Sequence, residues 1–164
     1  MLVAKAYELE RRYRQQLFDM TPNVALTFNY GYRIDSIKAQ GLQSKFFQMA
    51  QRKFYGRNWA SQWDRQWPVV YGFFEHPKSN PHYHALAKVE VEFANWLLDY
   101  GDEVWRRVAR RGQLDVQEVY DTAGAIGYWL KGLARDQTFE DVWVYKDTRE
   151  ATIGKSCLKV GRES

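Results

Sequence analysis

The run Val69-Val70-Tyr71-Gly72-Phe73-Phe74-Glu75-His76, the bend Pro77-Lys78-Ser79-Asn80-Pro81, and the run His82-Tyr83-His84-Ala85-Leu86-Ala87-Lys88-Val89 decide how this chain folds. Residues 68–76 and 82–91 are rich in Val, Tyr and Phe, which fit a pleated surface. The connection between them holds two prolines, which favour a turn. The pattern predicts a β-hairpin. Downstream, a helix is expected over 92–111, ending at Gly112 as a left-handed C′ residue, with Arg106, Arg107, Arg110 and Arg111 in its last turns suiting the helix dipole. Residues 114–120 read as a strand. Residues 121–134 read as a helix capped by Asp121 or Thr122, and 139–145 as a last strand. Upstream, 56–67 read as a loop or short helix. Residues 35–54 read as a helix with Asp35 or Ser36 as N-cap, weakened by Gly41. Val24-Ala-Leu-Thr-Phe-Asn-Tyr30 reads as a buried strand, Thr21-Pro22-Asn23 as a breaker, and 3–18 as a helix.

The order α-β-α-β-β-α-β-α-β predicts an α+β fold: a central antiparallel sheet with flanking helices, in a split βαβ, ferredoxin-like or RRM-like arrangement. With 164 residues, no repeat and no Gly/Ser linker, the chain is expected to be one domain, 1–164, with an N-terminal helix over 1–20 and a core over 22–145. No apolar run approaches the roughly 20 residues of a membrane span, and the N-terminus lacks a secretory h-region. Cys157 is the only cysteine, so an internal disulfide is excluded, which suits a reducing cytoplasm. A net charge of +4 permits a polyanionic partner without demanding one. The aromatic content of 16%, with seven tryptophans, is more unusual. Such rings fill cores, and they also stack on unpaired bases.

Histidines at i and i+2 of a strand point to one face, so His82 and His84 can converge on one ion. They are two of three histidines in the chain; the third, His76, sits beside Glu75 on the other arm of the hairpin. A metal needs a further ligand. If His76 pairs directly with His82, His76 shares the metal face; a register shifted by one puts Glu75 there. Two imidazoles and a carboxylate suit Mn²⁺ or Mg²⁺, and Zn²⁺, Co²⁺ or Ni²⁺ should also bind.

In Gly124-Ala125-Ile126-Gly127-Tyr128-Trp129-Leu130-Lys131, Tyr128 and Lys131 lie three apart and share a helix face. Gly124, Ala125 and Gly127 leave room beside the tyrosine, although an interior glycine costs a helix roughly 1 kcal/mol. A tyrosine hydroxyl, with a reference pKa of about 10, is a weak nucleophile unless a metal polarises its target. Lys131 can steady a phosphate as a mobile point charge.

Taken in order, these motifs resemble the HUH endonuclease superfamily, which includes rolling-circle replication initiators (Rep proteins), relaxases and small transposases. Leu26-Thr27-Phe28-Asn29 looks like that family's first-strand motif. His82-Tyr83-His84 matches its metal motif with an aromatic middle residue, and Tyr128-Trp129-Leu130-Lys131 its nucleophile motif. Glu75 sits where similar Rep proteins often supply a carboxylate ligand. The resemblance spans roughly residues 22–135. It implies metal-dependent nicking and rejoining of single-stranded DNA or an origin hairpin through a 5′-phosphotyrosine intermediate, with a free 3′-OH. Position 132 is Gly, so a second tyrosine four residues on is absent and a one-tyrosine enzyme is expected. The chain carries no Walker A motif, so a host helicase is an implied partner.

Single strands are held by a positive groove with stacking aromatics. Arg52-Lys53-Phe54-Tyr55-Gly56-Arg57-Asn58-Trp59, continued by Trp63, Arg65 and Trp67, mixes both. Arg52, Lys53, Arg57, Trp59 and Trp63 are therefore the candidate DNA contacts, against the alternative that these rings pack under a loop. Two other activities compete: a small transposase of the same superfamily, and a non-catalytic RRM-like nucleic-acid-binding module.

Overall fold

Strand β1 (Val24–Asn29) alternates buried and half-buried side chains along its length, as a strand does when its two faces meet different layers. The computed structural model describes residues 2–62, 65–75, 80–136 and 142–146. Helix α1 (Leu2–Met20) precedes β1, and α2 (Ser36–Tyr55) follows it. The hairpin is β2 (Val69–Glu75) and β3 (His82–Lys88); α3 (Val91–Val108), β4 (Gln113–Glu118), α4 (Thr122–Asp136) and β5 (Trp143–Lys146) complete the order. A 3₁₀ turn, Trp59–Ser61, interrupts the connection before β2.

The fold is α+β, a five-stranded antiparallel sheet in the order β4-β1-β3-β2-β5. The unit β1-α2-β2 is split by β3, and β3-α3-β4 is split by β1, which is the ferredoxin-like or RRM-like arrangement expected from the sequence. Strand β5 adds a fifth strand on the β2 edge.

Cross-strand partners share a face, so the register sorts the sheet. Leu26, Phe28, Val70, Phe74, Tyr83, Ala85 and Leu114 face α2 and α3 and form the larger core. At its centre Phe28 meets Trp105 edge to face at 4.9 Å and Phe46 at 5.3 Å. The opposite face carries Tyr71, Phe73 and Leu86, covered by Leu17 of α1 and by Ile126, Trp129, Leu130 and Leu133 of α4. The α4 residues recur at helical spacing, which presses one stripe of that helix onto the sheet.

Several expected boundaries shift. Asp35 is the N-cap of α2, its carboxylate accepting from Lys38 N at 2.8 Å. The helix runs through Gly41, whose position is open to solvent-side space. Strand β3 stops at Lys88, short of 91. Gly112 is not the C′ residue of α3: the helix ends at Val108, with Ala109 N donating to Trp105 O. Gly112 instead permits a close approach, because a Cβ there would lie 2.5 Å from both Asn29 O and Trp105 Nε1. That leaves the indole N–H of Trp105 free to donate to Asn29 O at 2.9 Å. The described part of the last strand is Trp143–Lys146 rather than 139–145; residues 139–141 lie outside the described residues. Among the described residues, no helix is long and apolar enough to cross a membrane.

Candidate metal centre and tyrosine cleft

The register of the hairpin brings Glu75 to the two histidines. Glu75 pairs with His82, and Phe73 with His84. Glu75, His82 and His84 therefore project from the face that carries α4. His76, the alternative ligand, lies outside the described residues.

Glu75 is buried. Its Oε2 lies 3.0 Å from His82 Nε2 and 2.5 Å from His84 Nε2. The three candidate ligand atoms all fall within 4.8 Å of one another. Two donors each about 2.1 Å from a cation, at right angles, lie about 3 Å apart, which the Glu75–His82 contact matches, while the Glu75–His84 contact is that of a short hydrogen bond. The other ring nitrogens strengthen the case. His82 Nδ1 faces the backbone carbonyl oxygen of Asn80 at 2.7 Å. A carbonyl only accepts, so Nδ1 carries a proton and Nε2 is the nitrogen left to face Glu75. A histidine N–H fixed on a carbonyl is also how metal-binding imidazoles are commonly oriented. His84 Nδ1 lies 3.3 Å from Thr27 Oγ1, and the His84 ring is tilted against Phe73 at 5.4 Å. The group Glu75, His82 and His84 is thus positioned to bind a metal ion.

Helix α4 is anchored over this centre. Its N-cap is Asp121, whose carboxylate accepts from Gly124 N at 3.0 Å. A Cβ on Gly124 would lie 2.3 Å from the Asp121 carboxylate, so this glycine serves the cap. The Trp129 indole N–H donates to His84 O at 3.2 Å, and its ring meets Phe73 edge to face at 5.2 Å. Gly132 lies flat on Phe73; a Cβ there would meet the ring at 2.8 Å. At the far end of α4, Arg135 Nη1 lies 3.7 Å from Glu75 Oε1. Arg135 was not singled out from sequence, although it sits four residues after Lys131 and seven after Tyr128, on the same side of the helix.

With its buried stripe against the sheet, α4 presents Tyr128 and Lys131 outward; Tyr128 is 74% exposed. Between α4 and the β4 side of the sheet lies a cleft of about 600 Å³. His84 and Thr27 contribute to its lining, and so do Tyr128, Trp129 and Ala125. A candidate metal ligand and the candidate nucleophile therefore border one space. Gly127 has open space around it, so the room expected beside the tyrosine is present.

The proposed DNA-contact segment lies elsewhere. Arg52 and Lys53 are in the last turn of α2, in the layer on the opposite face of the sheet, and Arg57 and Trp59 follow that helix. The segment leads into Val69, which pairs with Lys88, six residues along the hairpin from the Glu75–His82 pair; at about 3.4 Å per residue that is about 20 Å. Lys53 Nζ pairs with Glu103 at 3.8 Å. Trp59 is half-buried and tilted against Trp67 at 6.0 Å. The guanidinium of Arg65 stacks on Tyr55 at 4.0 Å and Trp67 at 3.9 Å, while its Nη2 donates to Gln51. Trp63 lies outside the described residues. The site and the basic-aromatic segment are not brought together.

Comparison of the chain with protein-family models, with curated proteins and with solved structures finds no match.

Proposed function

We propose that this chain nicks and rejoins single-stranded DNA, with Tyr128 as nucleophile beside a divalent cation held by Glu75, His82 and His84. The observation that carries the reading is the shared cleft: His84 and Tyr128 line the same space. The nitrogen-containing donor set suits Mn²⁺ or Mg²⁺, with Mn²⁺ favoured by the two imidazoles. When bound, such an ion polarises a phosphodiester and neutralises the charge that builds on it.

In the forward step Tyr128 Oη attacks phosphorus and the P–O3′ bond breaks. The tyrosine proton passes to solvent, and the departing oxygen leaves as a free 3′-OH after taking up a proton. The 5′-phosphate stays on the tyrosine. In the reverse step a 3′-OH attacks the same phosphorus, and Tyr128 recovers its proton. One ester bond is exchanged for another, so the bond energy is conserved for joining. Lys131 and Arg135 follow Tyr128 on the outer side of α4; Lys131 steadies a phosphate oxygen. Arg135 helps to orient Glu75.

The binding-module alternative is weakened by α1 and α4. An RRM-like module stacks bases on exposed aromatics of the sheet, whereas Tyr71 and Phe73 are 5% and 1% exposed. An initiator of rolling-circle replication working with a host helicase in the cytoplasm is the setting this chemistry suits; a small transposase would use the same step.

The test is a denaturing gel of protein incubated with labelled single-stranded DNA from its native replicon, with Mn²⁺ or with chelator. The expected result is a labelled band larger than the protein, dependent on metal and lost in Tyr128→Phe. Intact binding with no such band would overturn the proposal.

A further inference from the structure

Away from the metal, the cleft changes character. His84 pairs with Thr27, and Thr27 pairs with Asp115 on the edge strand β4, so Asp115 is two strands, about 10 Å, from the histidine. On the same face Gln117 donates from Nε2 to Asp115 Oδ2 at 2.7 Å. Asp115, Gln117, Glu118 and Asp121 all line the cleft. Three carboxylates there repel a phosphate. The rim carries two exposed tyrosines, Tyr128 and Tyr120, the latter 87% exposed. A hydrogen bond to the neighbouring Glu118 carboxylate, and that carboxylate's charge, push the pKa of the Tyr120 hydroxyl up. Large exposed aromatics at the mouth of a cleft lined by hydrogen-bond acceptors suit a flat, uncharged ligand with N–H groups along one edge.

We infer that the β4 side of this cleft is a nucleobase pocket, in which one unstacked base of the single strand lies against Tyr120 and presents its Watson–Crick edge to Asp115 and Gln117. The inference rests on the proposed DNA substrate and adds a specificity to it. A carboxylate accepts from the amino groups of cytosine, adenine and guanine. Thymine offers one N–H flanked by two carbonyl oxygens, which a carboxylate repels. The pocket therefore prefers an amino-bearing base and rejects thymine. The Gln117–Asp115 hydrogen bond holds the acceptor in place, and the negative rim leaves the sugar–phosphate backbone to run along the Tyr128 and His84 side, where the reaction proposed above takes place.

The test measures binding without chemistry. Fluorescein-labelled dT12, dC12 and dA12 are titrated by anisotropy with the full chain in chelator buffer, where no nicking is expected. Wild type should bind dC12 and dA12 at least about fivefold more tightly than dT12, the low end of one stacked or base-specific contact. Asp115→Asn, which keeps the shape and adds a donor, should erase that preference or reverse it toward dT12. Tyr120→Ala should weaken all three oligonucleotides roughly tenfold, while Tyr120→Phe should retain most of the affinity. Equal affinity of wild type for the three strands, binding to none of them, or an unchanged preference in Asp115→Asn would overturn the pocket. The gel assay separates the two proposals. A covalent adduct with no Asp115-dependent preference sinks the pocket alone. A preference without an adduct sinks the nicking reaction and leaves the pocket standing.

Discussion

Replacing Glu75 by Gln tests the metal centre without disturbing its shape. One oxygen of Glu75 faces both imidazoles, at 3.0 and 2.5 Å, so the substitution removes the only anionic member of the trio. Metal that binds the folded chain alone stabilises it by RT ln(1 + [M]/Kd), about 2.7 kcal/mol at a hundredfold excess over Kd. At about 2–4 °C per kcal/mol for a chain of this size, wild type should melt about 5–11 °C higher in such Mn²⁺ than in chelator. Changing groups that merely orient metal ligands commonly costs 10–100-fold in affinity, so loss of the carboxylate itself should reach the upper end. At the same metal concentration a hundredfold weaker site retains about 0.4 kcal/mol, a rise of about 1–2 °C. The metal-free variant should melt close to metal-free wild type, because the carboxamide N–H can donate to a histidine lone pair. The assay is calorimetry across a Mn²⁺ series with a chelator baseline, with His82→Ala as a second ligand deletion. An equal shift in wild type, Glu75→Gln and His82→Ala, or none in wild type at millimolar Mn²⁺, would refute the reasoning.

Two glycines of α4 should respond in opposite directions. Gly132→Ala drives a methyl to 2.8 Å from the Phe73 ring, so denaturant melts should show a loss of about 1–3 kcal/mol together with weaker metal binding through His84. Gly127→Ala meets open space and should raise stability by up to about 1 kcal/mol. Tyr128→Phe should leave the urea midpoint within about 0.5 kcal/mol of wild type, since Tyr128 is 74% exposed, so that its loss of covalent capture reports chemistry rather than folding. Burial raises the pKa of Tyr30, and burial with the nearby Glu90 carboxylate pushes Tyr55 up to about 12. Both favour the neutral form in the folded state, so their contribution is complete below pH 10 and falls as pH rises above 10, that of Tyr55 being lost through about 12. Urea midpoints between pH 9 and 12 should fall in wild type and fall less steeply in Tyr30→Phe; a flat wild-type profile would contradict this.

The hairpin was legible because its signal is local: β-favouring runs on either side of a proline-bounded turn need no knowledge of the rest of the chain. The split βαβ followed from element order alone. That Glu75 joins the two histidines was not legible, because a one-residue change of register moves a side chain to the other face, and only the pairing of Glu75 with His82 puts it on theirs. The role of Gly112 was misread for a related reason. A glycine after an arginine-rich helix end satisfies the local pattern for a C′ residue, while its actual constraint is the approach of Asn29 and Trp105, 83 and 7 residues away in sequence. Arg135 and Asp115 were invisible singly, since each acquires meaning only from what another strand or helix sets opposite it.

The segment from Arg52 to Trp67 shows why composition is a weak guide to a nucleic-acid surface. Basic and aromatic residues in alternation serve a single strand, but they serve equally well to stack on one another. Here Arg65 lies between Tyr55 and Trp67, a partly desolvated cation–π arrangement worth about 1–2 kcal/mol per ring, and Lys53 is paired with Glu103. Rings and charges engaged internally must give up those contacts before they can hold DNA. The cleft presents the reverse case. Its sequence signature, Asp115-x-Gln117-Glu118-x-Tyr120-Asp121, is acidic and would be discarded in a search for DNA contacts by charge. Under the reaction and pocket proposed above, phosphate repulsion on the β4 side and a cation on the β3 side would divide one strand's nucleotide between them, the negative wall taking the base and leaving the phosphate to Tyr128. Charge read as a sum hides this division; charge read by position along β1, β3 and β4 is what gives the cleft its polarity.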